Sequence, residues 1–159
     1  MCGVSDSSVI IGVVFLPAQS DRLFDPVRRK SVAAKPEEKI RQALTRWLLE
    51  NLKVPPRLAS VEYSLSALDP SSRKRADIVV WQPGSRDGGL RPWLLAECKA
   101  PGISLDDRVA DQVRRYAEKI HAEFVLITNG ELTRYFRLGQ GRYEEIERLP
   151  SFSSIKNVN

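Results

Sequence analysis

Apolar residues recur at helical spacing in two parts of the chain, and short runs of β-formers fill the rest. From Pro36, the segment PEEKIRQALTRWLLENL carries Ile40, Ala43, Leu44, Trp47, Leu48 and Leu52 along one face. Proline suits a first helical turn, and Glu37 and Glu38 complement the positive end of the helix dipole. On that wheel Glu37 lies at the edge of the apolar face, whereas Glu38 projects farther toward solvent. Val54-Pro55-Pro56 ends the helix. A second helix is expected over about Leu105 to Ile120, with Val109, Val113, Tyr116, Ala117 and Ile120 as its stripe and Asp106 and Asp107 at its start.

The strand signals are equally regular. Val61, Tyr63 and Leu65 alternate with Glu62, Ser64 and Ser66. RADIVVW (Arg75 to Trp81) and WLLAECKA (Trp93 to Ala100) flank a Gly- and Pro-rich turn, and so predict a hairpin. FVLIT (Phe124 to Thr128) is wholly apolar and suits a central strand covered on both faces. Leu132 to Leu138 and Arg142 to Ile146 predict a terminal hairpin. Val9 to Leu16 is expected to add an edge strand, being far shorter than the ~20 apolar residues of a membrane span. The order is helix, three strands, helix, strand, then a hairpin. It predicts an α/β fold whose mixed central sheet has a helix on either face.

With 159 residues, the chain is expected to form one domain. Its core is placed at about residues 23 to 130, with residues 1 to 8 and 150 to 159 loose. The hydrophobic fraction of 42% and charged fraction of 28% are those of a water-soluble globular protein, expected in the cytoplasm. A net charge of +5 leans toward a polyanionic partner, and no membrane partner is expected, because the one long apolar run is too short to span a bilayer. Cys2 and Cys98 do not suggest a disulfide framework. With a single histidine, His121, a Cys/His zinc site is not expected, and that residue falls where a helix C-terminus would be capped.

The chemistry gathers on the central hairpin. Asp77 opens its first strand, and Glu97 and Lys99 close its second. Charge at the end of a buried strand calls for a reason, because an unpaired carboxylate is costly there. Glu97 and Lys99 are two apart and share a face, while Cys98 points to the other and offers its backbone carbonyl. Two carboxylates and a carbonyl suit Mg²⁺. A neighbouring lysine can act on a water or on developing negative charge. A plainer reading pairs Glu97 with Lys99 and Asp77 with Arg75 at exposed strand ends, and these residues alone leave both readings open. Arg28, Arg29 and Lys30 follow an Asp25-Pro26 turn, and Arg73, Lys74 and Arg75 lead into Asp77. Either run is a solvated surface or a phosphate contact. Gln112 and Tyr116 share a face of the second helix.

In order, LFDPVRRK, PEEKIRQAL, KRADIVVW, AECKAPG, DQVRRYA and LITNG resemble the N-terminal nuclease domain of type I restriction enzyme R subunits, within the PD-(D/E)xK nuclease superfamily. The resemblance spans about Leu23 to Gly130. It implies a restriction-endonuclease-like αβββαβ core and Mg²⁺-dependent hydrolysis of DNA, with Mn²⁺ able to substitute. It further implies that Asp77 and Glu97 bind metal with the Cys98 carbonyl, that Lys99 is catalytic, and that Gln112 and Tyr116 form a Q-x-x-x-Y element. Glu37 or Glu38 supplies the acid of the first helix. The candidate DNA contacts are Arg28, Arg29, Lys30, Arg41, Arg73, Lys74, Arg75 and Tyr116. Ala76 stands where the family has proline. No G-x-x-x-x-G-K-[ST] loop occurs, so neither an ATP site nor translocation is expected of this chain. Other restriction-system subunits are implied as partners. The alternatives are a non-catalytic DNA-binding or subunit-docking module on the same fold, and an RNA-directed nuclease.

Overall fold

A computed structural model describes residues 21–84 and 88–152. The strand expected at Val9 to Leu16 lies outside them, as does Cys2. Among the described residues, β1 (Arg22–Asp25) and β2 (Lys30–Ala33) form an antiparallel hairpin that leads into α1 (Pro36–Glu50). Then come β3 (Ala59–Ser64), β4 (Arg75–Pro83), β5 (Leu90–Cys98), α2 (Asp107–Ile120), β6 (Phe124–Thr128), β7 (Thr133–Leu138) and β8 (Tyr143–Ile146). Strands β3 to β8 lie side by side in sequence order as a six-stranded sheet. Its pairs are antiparallel except β5 with β6, which run parallel and are joined through α2. The expected α/β arrangement is therefore present: an α1-β3-β4-β5-α2-β6 core, a mixed sheet and a C-terminal hairpin.

The helices cover opposite faces. Ile40, Leu44 and Leu48 of α1 pack on Ile78, Val80, Leu94 and Ala96. Ala110, Val113 and Ala117 of α2 pack on Val79, Leu95, Val125 and Ile127. These two sets alternate along β4 and β5, as a sheet covered on both sides requires. β6 is buried throughout. Asp106 caps α2 by accepting the Val109 N–H at 3.0 Å. His121 ends that helix in the left-handed region at φ 53°, which is the capping position the sequence suggested.

The Asp25-Pro26 turn is present and joins β1 to β2, with Asp25 fully buried. One feature departs from expectation. The stretch beginning at Pro150 docks at its start, because Phe152 is buried with its ring edge-on to Trp93, 5.1 Å between centroids.

Candidate active site

The β4–β5 register pairs Ile78 with Ala96, so Asp77 and Glu97 occupy adjoining positions one step beyond. Asp77 reaches across to accept the backbone N–H of Cys98 on Oδ2 at 2.7 Å. Its Oδ1 accepts Nε and Nη2 of Arg41 at 3.0 and 2.7 Å. Lys99 donates to Glu97 Oε1 at 2.7 Å. The expected pairing of Glu97 with Lys99 is thus present, whereas Asp77 takes Arg41 from α1 rather than Arg75.

Electrostatics link the three groups. Burial raises the pKa of Glu97, and the charge of Asp77 adds to the rise against the opposing bond from Lys99. Burial works against the charge on Lys99, but the hydrogen bond and charge of Glu97 outweigh it and hold the ammonium on. Cys98 faces the α1 side of the core. Its thiol is pushed well up by burial and then by Asp77, so it is no nucleophile.

Behind Asp77 lies a network that sequence reasoning did not find. Glu38 is buried, not solvent-facing, and accepts from Arg28, Arg41 and Gln42. Glu37, expected to be better placed, is the more exposed of the two and lies 3.3 Å from Arg41 Nη2. The helix wheel failed because α1 buries a second, polar face: Glu38, Arg41, Gln42 and Thr45 are all buried. That face meets Asp25, whose carboxylate accepts the backbone N–H groups of Val27 and Arg28 and the side chains of Arg28 and Gln42. Burial opposes ionisation of Asp25, yet these bonds prevail and set its pKa below the usual range.

Glu62 completes the network. It is a non-glycine residue at φ 51° within β3, a conformation that costs on the order of 1–3 kcal/mol. Its carboxylate takes Arg28 and lies 3.8 Å from Arg41 Nη1. In the sequence Glu62 reads as an ordinary outward residue of an alternating strand, and only its backbone angle marks it.

Of the basic residues proposed to hold phosphate, Arg28 and Arg41 turn inward as counter-charges to these acids. Arg29 and Lys30 are exposed, and so are Arg73, Lys74 and Arg75. Lys74 lies 5.8 Å from the ring centroid of half-buried Tyr116, linking the start of β4 to α2. Gln112 is exposed on α2.

Among the described residues, no group of three or more His, Cys, Asp and Glu side chains is gathered to hold a metal ion. A Mg²⁺ site does not demand one, since that ion is commonly held by one or two carboxylates with water and substrate filling the rest of the shell. The donors here suit such an ion. Asp77 Oδ2 keeps an acceptor position beyond the Cys98 bond, Lys99 occupies one oxygen of Glu97, and the Cys98 carbonyl lies on the same strand end.

A mixed α/β sheet with a helix on either face is consistent with a nuclease-like fold, and it brings Asp77, Glu97 and Lys99 together at neighbouring strand ends. Residues 36–150 match the family described as the type I restriction enzyme R protein N terminus. The chain belongs to that family, and is a domain related to restriction systems. No significant match was found among curated proteins or solved structures. Among the described residues, no helix is long and apolar enough to cross a membrane.

Proposed function

We propose that this chain is a metal-dependent deoxyribonuclease domain of the PD-(D/E)xK type, with DNA as substrate and Mg²⁺, or Mn²⁺ in its place, as cofactor. The observation that carries the reading is the partly buried Glu97. Its pKa is raised by burial and by Asp77, and Lys99 is hydrogen-bonded to it. A desolvated carboxylate beside a second acid and a lysine is a costly arrangement for structure alone, and a useful one for hydrolysis.

In this reading Asp77, Glu97 and the Cys98 carbonyl hold the cation, which supplies polarisation of the phosphodiester and a more acidic water. Lys99 is held charged by Glu97, which suits it to stabilise negative charge on the phosphate rather than to take a proton. The Cys98 N–H fixes the orientation of Asp77. Arg73, Lys74 and Arg75 flank the site and attract the DNA backbone. Gln112 and Tyr116 project from α2 as further contacts to phosphate or water.

The test is to incubate the purified chain with plasmid and linear DNA, with Mg²⁺ or with EDTA. Cleavage is expected only with the metal, and Lys99→Ala should lower it by roughly 100-fold or more. Cleavage unchanged in Lys99→Ala refutes the assignment.

One observation favours a second reading. Asp77 is already paired with a cation, Arg41, which would suit a DNA-binding or subunit-docking module without catalysis. DNA binding in the absence of any Mn²⁺ or Mg²⁺ binding, followed by calorimetry, would select it.

A further inference from the structure

The position of Arg41 follows from charge. Arg41 is 7% exposed, and its guanidinium cannot shed its proton at any ordinary pH and faces four carboxylates. It pairs with Asp77 and Glu38, lies 3.3 Å from Glu37 and comes within 3.8 Å of Glu62. The Asp77 contact reaches the candidate metal site; the other three carboxylates lie on α1 and β3. Both donors aimed at Asp77 end on the same oxygen, Oδ1, and fill its acceptor positions.

Resting on the metal reading above, we propose that Arg41 is an internal counter-cation that competes with a divalent metal ion for Asp77. A guanidinium on Oδ1 supplies the positive charge that Asp77 would otherwise take from the metal, and two cations on one carboxylate repel each other. The side chain has somewhere to go. Glu37, Glu38 and Glu62 already surround it, so leaving Oδ1 does not strand the charge. An open groove of about 370 Å³, lined by Lys35, Glu37, Glu38, Arg41 and Glu62 among others, adjoins the guanidinium and gives it room to shift. Arg41 thus has two sets of partners, and occupancy of Asp77 selects between them.

Calorimetric titration of Mn²⁺ into the wild-type chain and Arg41→Gln tests this without measuring cleavage. The variant is expected to bind Mn²⁺ tighter by roughly tenfold or more. Equal or weaker binding by a folded Arg41→Gln overturns the competition and leaves the metal reading standing. No Mn²⁺ binding by either protein overturns the metal reading, and this proposal with it. Should the variant not fold, the wild-type chain answers through the ¹⁵N resonance of Arg41 Nε–H during Mg²⁺ titration. That signal is expected to move in step with Mg²⁺ binding, and an unchanged signal at saturation overturns the proposal.

Discussion

Asp77 accepts the backbone N–H of Cys98 at 2.7 Å, so a side chain of β4 completes the pairing of β5 where the main-chain ladder has ended. With Arg41 on its other oxygen, Asp77 accepts hydrogen bonds from two directions. Asp77→Asn would set an amide donor against one of these donors. Neutralising an acid in a crowded active site often stabilises a protein, but here the expected effect is a loss of about 1–3 kcal/mol. Urea unfolding in EDTA checks the sign. A gain in stability would show that the two contacts contribute little.

Glu97 should behave in the opposite way. Its folded pKa lies above the ordinary 4.5, so the folded state holds this proton more tightly than the unfolded chain. Below 4.5 the residue is protonated in both states and contributes no difference. As pH rises through the raised folded pKa, charging it in place costs stability. Glu97→Gln, an isostere of the protonated acid, is therefore expected to melt higher than wild type at neutral pH. The gap should close on acidification. Melting curves over that range, with EDTA present, measure it, and a variant less stable than wild type at neutral pH would contradict the cause given for the shift.

The sheet and helices were legible because burial writes periodicity into the chain. β6 is apolar at every position, and the faces of β4 and β5 alternate between two cores. The Asp77, Glu97 and Lys99 grouping was legible for the same reason, since charges stand out in such strands. The network behind it was not. Glu38, Arg41 and Gln42 look like the solvent side of an amphipathic helix, because a wheel registers only apolar burial. Asp25 looks like a turn residue, and its burial depends on a partner seventeen residues away, through its bond to Gln42. Arg28 looks like part of a basic patch, yet three acids from three elements turn it inward. Polar burial is set by tertiary partners, and local pattern does not carry them.

Asp25 anchors the β1–β2 hairpin to α1. Four donors converge on its buried carboxylate, and they lower its pKa despite burial. Asp25→Asn replaces one accepting oxygen with a donor and leaves Arg28 with less counter-charge. The expected cost is roughly 3–5 kcal/mol, the scale for breaking a buried ion pair. Because the folded pKa is depressed, the wild-type advantage is complete above the ordinary 3.8 and is lost as pH falls through the folded value. Urea midpoints of both proteins should therefore converge in acid. A gap that stays constant there would mean that charge on Asp25 is not what stabilises the hairpin.

The basic residues divide into inward and outward sets, and salt separates them. Arg73 and Lys74 are exposed at the approach to Asp77, whereas Arg28 is committed to Asp25, Glu38 and Glu62. A phosphate contact releases counterions, so removing one lowers the slope of log affinity against log salt by about 1. Arg73→Ala and Lys74→Ala are each expected to weaken DNA binding and flatten that slope by this amount. Arg28→Met should leave the slope unchanged while lowering the melting temperature, since it strips a counter-charge from three acids. Fluorescence anisotropy with a labelled duplex over a salt series measures the slope, and calorimetric melting measures the stability. If Arg28→Met flattened the slope as much as Arg73→Ala, the guanidinium would have to leave its carboxylates to meet DNA, and the inward assignment would fail.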